Sequence, residues 1–360
     1  MSAFFRSVSL VVAITLLITA CTPVTPAPTP MPTETPRPRL LMPGELQIAS
    51  DIDDIPAIFA SDDLFVDVQA GNQEWPPEEL VIGVEINGQA RAYPIRLLSS
   101  HEIVNDVIGG EPVAVTWCPL CFSALVFDRV VDGRELTFGV SGYLYHNNLV
   151  MYDHQTNTLW SQLLGQAIRG AKRRTFLEAR PSVLMSWSEW QADHPHTTIL
   201  SASRMSLDAA SIIDPYAGYY LSGSAGMMGP EFTDERLPPK SLVLGLLSGN
   251  QAHAYSLESI RSAGLLNETL DGRNILLVYD ETVRSVFVYE AEVDGRHLTF
   301  EFDPSSGALR DVETASLWDP GTGEATSGQY QGRRLSRLVS PLVYWYAWVD
   351  IHPKTELFQP

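Results

Sequence analysis

Cysteine is scarce in this 360-residue chain. Only Cys21, Cys118 and Cys121 occur, so a framework of structural disulfides is excluded by count. Basic side chains are also few, with 24 Lys and Arg against 43 Asp and Glu and a formal net charge of −19. That balance argues against nucleic acid or an anionic membrane surface as partner. The longest apolar stretch near the start, Leu10 to Ile18, is too short to span a bilayer stably. Sustained helical periodicity is rare. No Gly-x-Ser-x-Gly, His-Glu-x-x-His or phosphate-loop pattern is present, which speaks against the common hydrolase classes.

What the chain does have begins with a targeting segment. Residues 1–20 read as a lipoprotein-type signal peptide, with Arg6 as its positive end and Leu10 to Ile18 as its apolar core. It closes on Ile18-Thr19-Ala20-Cys21, which resembles a bacterial lipobox and implies cleavage before Cys21 and lipidation of its sulfur. Residues 21–45 are rich in Pro and Thr, with too few apolar side chains to fold and too many prolines for helix. They read as a semi-extended tether. The expected location is extracytoplasmic, lipid-anchored to the cell membrane. Cys118 and Cys121 then remain as the only pair.

Comparison of the chain with itself finds two related stretches. Asn87-Gly-Gln-Ala-Arg-Ala-Tyr93 falls on Gly249-Asn-Gln-Ala-His-Ala-Tyr255, an offset of 162 residues (251 − 89). Val131-Asp-Gly-Arg-Glu-Leu-Thr-Phe138 falls on Val293-Asp-Gly-Arg-His-Leu-Thr-Phe300 at the same offset. Further on, the offset becomes 158 (318 − 160), which sets Asp153 and Trp160 against Asp311 and Trp318. The same offset sets Trp187-x-x-Trp190 against Trp345-x-x-Trp348, and the four-residue difference is an insertion between Phe138 and Asp153. The expected fold is α+β and β-rich: two tandem pseudo-repeats of a mostly antiparallel β unit with short helices. The first repeat takes residues 46–200, a connecting segment 201–245, and the second repeat 246–360. Asp-Gly between apolar runs marks a hairpin in each. Short helices are expected over Pro94 to Val104 and Ser256 to Leu266.

Features kept in both repeats are assigned to the shared fold, and features of one repeat alone to function. The paired tryptophans read as core aromatics. Asp153 with Thr156, and Asp311 with Thr314, read as turns in which short polar side chains bond to backbone. Cys118 falls on Asp280 and Cys121 on Val283, so the thiol pair belongs to the first repeat alone. His101 falls on Ala263, Glu102 on Gly264 and Met151 on Leu309, while His146 lies in the insertion and His154 falls on Val312.

Cys118-Pro-Leu-Cys121 places two sulfurs on one turn, which suits a shared metal or a redox disulfide. The flanking runs read as strands, so no helix dipole is expected to stabilise a thiolate there. Two cysteines with one His or Met outside the cytoplasm favour copper by ligand softness, with zinc as second choice. The candidate ligands are Cys118, Cys121, His101 and Met151, with His146 and His154 behind them. A thiol–disulfide protein using Cys118 and Cys121 is the alternative, with a metal-receiving or redox partner in the envelope. A ligand- or carbohydrate-binding module with structural cysteines is another.

The order NGQARAYPI, HEIVNDVIGG, VAVTWCPLCFSALVFDR, FGVSGYLYHNNLVMYD, TNTLWSQ and WYAWVDIHP resembles the DUF3179 family of bacterial and archaeal envelope proteins of unknown function. His101, Asn105, Asp106, Cys118, Cys121, Met151, Asp153 and Trp160 fit the family pattern. His146 and His154 fall where other residues are usual. The resemblance implies the choice of site and no established activity.

Overall fold

The computed structural model describes residues 46–358 apart from 250, 282–284 and 304, so the signal segment, Cys21, the tether and Val283 lie outside the described residues. The chain is β-rich, with mostly antiparallel sheets, and no described helix exceeds seven residues. No described helix is long and apolar enough to cross a membrane.

Three sheets carry the first half. One has the order Val183–Ser186, Leu80–Ile86, Gln89–Pro94, Thr198–Leu200, Phe65–Asp67. A second runs Ala179–Arg180, Ser123–Asp128, Glu111–Cys118, Ile103–Ile108, Ile58–Phe59. The third runs Leu46–Ile48, Phe138–Tyr145, Asn148–Asp153, Leu159–Ser161, Gln166–Arg169. The same strand order recurs from Leu342–Tyr344 through Leu242–Ser248 and Gln251–Ser256 to Glu356–Phe358. It recurs again from Leu265–Leu270 through Arg273–Asp280 and Ser285–Glu290 to Ser336–Arg337, and from Phe300–Phe302 through Leu309–Asp311 and Leu317–Trp318 to Ala325–Ser327. Leu242–Ser248 starts within the stretch expected to be connecting segment.

Matching bonds accompany the matching order. Asn105 exchanges two hydrogen bonds with the Phe138 backbone, both at 2.8 Å, and Asn267 does the same with Phe300 at 2.9 and 2.8 Å. Trp160 Nε1 donates to Asp153 at 3.0 Å, and Trp318 Nε1 to Asp311 at 2.9 Å; both carboxylates are fully buried and also accept from Thr156 and Thr314. These four residues hold turns, because a buried carboxylate is tolerated only where such donors satisfy it. Trp190 and Trp348 each donate to a threonine, Thr197 or Thr355, at 2.8 Å. Both rings press on a strand glycine: a Cβ added at Gly83 or Gly245 would sit 2.3 Å from the indole.

The expected helices are shorter than the sequence suggested, Ile95–Leu98 and Leu257–Ala263, because strand pairing resumes at Ile103 and Leu265. The two largest apolar clusters draw on both halves, while a smaller one around Leu244, Tyr255 and Leu277 belongs to the second half alone. Val81, Trp187 and Trp190 share one apolar cluster with Val278, Tyr289 and Trp318 of the second half. Cys118, Cys121, Met151 and Trp160 share another with Val343, Trp345 and Trp348. Each half thus buries the helix-bearing sheet of the other.

Candidate functional site

Cys118 pairs with Ser123 as the last rung between Glu111–Cys118 and Ser123–Asp128, leaving Pro119 to Phe122 as the turn. Phe122 closes it with φ near +54°, a left-handed value unusual for an aromatic residue. Both sulfurs are free thiols; Cys118 is 1% exposed and Cys121 is 0% exposed. The strand Leu342–Tyr344 and the helix Trp345–Ile351 cover the turn: Tyr344 N donates to Cys121 O at 2.9 Å, and Tyr346 Oη to Leu120 O at 2.7 Å. From the connecting segment, Tyr219 Oη also donates to Leu120 O at 2.9 Å. The Phe122 ring packs between Trp117, Tyr344 and Tyr220.

A polar network lies beneath the sulfurs. The hairpin joining Phe138–Tyr145 to Asn148–Asp153 turns at His146 and Asn147, both with positive φ, the geometry that suits two-residue hairpins. This turn lies in the insertion and sets two asparagines beside Cys121. The Cys121 thiol donates to Asn147 O at 3.3 Å, and Asn148 Nδ2 donates to Cys121 Sγ at 3.6 Å and to Gln162 Oε1 at 2.8 Å. Gln162 in turn donates to Thr116 and to Ser123 O, and accepts from Ser123 Oγ. Every member is buried.

This environment separates the two thiols. Burial opposes charge on Cys118, but the Cys121 thiol and backbone N–H, the Leu149 backbone and the Asn148 amide outweigh it and hold Cys118 below the ordinary thiol range. Burial and the neighbouring Cys118 push Cys121 well up. Glu102 is buried too. Burial, then the charge on Cys118, push its carboxyl well up against a hydrogen bond from Tyr216. Its φ is near +57°, and the matching residue of the second half is Gly264 at φ +72°. The two carbonyls accept matching bonds, from Trp117 N and from Tyr279 N, both at 2.8 Å. A side chain is thus kept where the backbone favours glycine.

The remaining candidate ligands divide. Met151 is fully buried in the apolar cluster that holds both cysteines. His101 Nδ1 is bound to Pro56 O at 2.8 Å, which leaves Nε2 as the nitrogen open to a ligand. His146 pairs with Glu231, and His154 packs on Tyr152 and reaches Thr137, so both are engaged elsewhere. Among the described residues, no group of three or more His, Cys, Asp or Glu side chains is arranged to hold a metal.

Sequence reasoning missed Asn148, Gln162, Tyr344 and Tyr346. Gln162 falls on Pro320 at the offset of 158, and Asn148 lies in the insertion, so both were visible as first-half features. Tyr344 and Tyr346 fall on Ser186 and Ser188. Ser186 caps its helix in a capping box, whereas Tyr344 makes no side-chain cap and its backbone N–H meets the cysteine turn.

A protein built of two interlocked β-rich halves around one buried dithiol is thereby defined. The family described as "Protein of unknown function (DUF3179)" matches residues 52–355, and the chain belongs to it. No curated protein and no solved structure matches.

Proposed function

We propose that this is an extracytoplasmic, lipid-anchored envelope protein whose working centre is the dithiol Cys118 and Cys121, acting in thiol–disulfide chemistry. The observation that carries the reading is the asymmetry of the pair. The Cys121 thiol gives its proton to a hydrogen bond with Asn147 O, while the surroundings of Cys118 favour its thiolate. That division suits one attacking thiolate and one resolving thiol. With the cover of Tyr219, Tyr344 and Tyr346 displaced, Cys118 attacks an external disulfide, forming a mixed disulfide and releasing one thiolate, which takes up a proton. Cys121 then loses its proton and attacks the Cys118 sulfur, forming the Cys118–Cys121 bond and releasing the second thiolate. Two thiols are oxidised, and the external disulfide is reduced to two thiols. The signal segment and the lipobox-like Cys21 support the location, and the net charge of −19 supports a partner other than nucleic acid.

A second reading places copper(I) between the same sulfurs. It is favoured by Met151, a soft thioether in the same buried cluster. The experiment is thiol titration with metal analysis on the full chain purified without oxygen, beside a Cys118→Ser/Cys121→Ser variant. The redox reading expects two thiols, no retained metal, and reversible conversion to one internal disulfide by a small disulfide reagent. About one copper per chain, lost in the variant, would replace it with the copper reading. Thiols that neither oxidise nor hold metal would sink both.

A further inference from the structure

The two halves set the same positions in the same sheet, and one half leaves them open. In the first half, Arg91 is buried and donates through Nη1 to both oxygens of Asp106, at 2.6 and 2.7 Å. Tyr93 Oη donates to the same carboxylate, and the exposed Asp62 pairs with the far side of the guanidinium. The Phe65 ring lies 4.1 Å from the guanidinium carbon, and Phe65–Asp67 closes that edge of the sheet.

In the second half the register is the same. His253 stands opposite Leu246 as Arg91 stands opposite Val84, and Glu268 stands opposite Ile275 as Asp106 stands opposite Val113. Tyr255 takes the place of Tyr93. The arginine is missing, and so is the cover: among the described residues no strand follows Glu356–Phe358 at that edge. The segment before Leu242 instead lies over the cysteine turn, through Tyr219 and through Met227 and Met228, whose N–H groups donate to Asn147.

What remains is a groove of about 310 Å³ lined by Gln251, His253, Tyr255, Glu268, Glu356 and Phe358. Among the described residues, one of its buried polar atoms has no hydrogen-bond partner. Tyr255 is 2% exposed. His253 is buried with Nε2 unpartnered, and its Nδ1 is 3.6 Å from Glu356. Glu268 is part-buried, and His253 is the cationic group that acts on its carboxyl. The Phe358 ring stacks on Tyr255 at 5.4 Å and offers an aromatic face, as Phe65 does in the first half.

We propose that this groove binds a guanidinium group, the ligand supplying in the second half what Arg91 supplies in the first. Glu268 takes the role of Asp106, Tyr255 that of Tyr93, the exposed Glu356 that of Asp62, and Phe358 that of Phe65. Planar, charge-assisted bonding to a carboxylate over a ring is what selects guanidinium over a compact ammonium. The site is separate from the dithiol and does not depend on its chemistry.

The test is calorimetric titration of the full chain with methylguanidinium and, separately, methylammonium. Saturable binding of methylguanidinium is expected, weakened roughly tenfold or more in Glu268→Gln, where a charged hydrogen bond is lost. His253→Arg supplies the guanidinium from within the chain, so it is expected to abolish binding and raise the melting temperature. Tyr255→Phe, which removes only the hydroxyl, is expected to weaken binding while keeping the fold. Absence of saturable binding by the native chain, equal affinity for methylammonium, or undiminished binding in His253→Arg would overturn the proposal.

Discussion

Replacing Asn148 by alanine tests whether the buried amides under the sulfurs hold the dithiol. Asn148 is fully buried and makes three contacts: Nδ2 to Gln162 Oε1 at 2.8 Å, Nδ2 to Cys121 Sγ at 3.6 Å, and Oδ1 from Leu163 N at 2.8 Å. Gln162 Oε1 keeps its bond from Ser123 Oγ at 3.0 Å, so it is not stranded. Leu163 N–H is, and leaving a buried donor unpaired costs about 1–3 kcal/mol. The amide–amide bond adds about 1 kcal/mol, and the contact to sulfur less. The expected loss is roughly 3 kcal/mol, which for a chain this size lowers the melting temperature by about 5 °C. A second effect goes with the first. The Asn148 amide is also among the groups that hold Cys118 below the ordinary thiol range, so its removal moves thiolate formation at Cys118 to higher pH. Asn148→Asp separates the two effects: it keeps an acceptor for Leu163 N but sets a carboxylate against Gln162 Oε1 and the sulfur. It should raise the thiolate midpoint further than alanine does. Thermal denaturation and thiolate absorbance against pH read the two quantities. A melting temperature within about 1 °C of native, as for an exposed substitution, with an unmoved thiolate midpoint would refute the reasoning.

Two further outcomes follow from packing and from charge. Gly83→Ala sets a methyl 2.3 Å from the Trp190 ring, and Gly245→Ala does the same to Trp348, so each should lose more than about 2 kcal/mol in urea denaturation. Loss of less than that would mean the indoles can retreat. Burial, then the neighbouring Asp319 and Asp280, raise the Asp193 carboxyl to about 6, against an opposing pull from Arg337. A raised carboxyl adds stability at pH below its unfolded value of 3.8, and that stability is lost as pH rises through about 6. Asp193→Asn should therefore gain melting temperature over the native chain at pH 8 and little at pH 4. Equal differences at the two pH values would contradict the sign.

How much of this was legible follows from the range of each interaction. Val131-Asp-Gly133 and its partner Val293-Asp-Gly295 are hairpins because Asp and Gly accept positive φ, at 52° and 72° in the first and 53° and 76° in the second. Asp153 reaches Trp160 across seven residues, and Asp311 reaches Trp318 likewise. Such bonds are written in spacing. The cover of the dithiol is not. Tyr346 meets Leu120 from 226 residues away, and Tyr219 from 99, so nothing local announces them. Residues 201–245 read as a surface connection because their Gly, Ser and Pro content describes their own backbone and says nothing of what they lie on.

Differences between the halves carry information in both directions. What the first half has and the second lacks includes Cys118, Cys121 and Glu102. The same comparison marks Tyr344 and Tyr346, present only in the second half in place of Ser186 and Ser188, and these close the first half's site. It also marks His253, where the second half lacks Arg91. When two halves bury each other's sheets, a change in one is an instruction about a surface of the other. The half without cysteines is therefore part of the cysteine site, and the segment drawn over that site leaves the Glu268 groove uncovered.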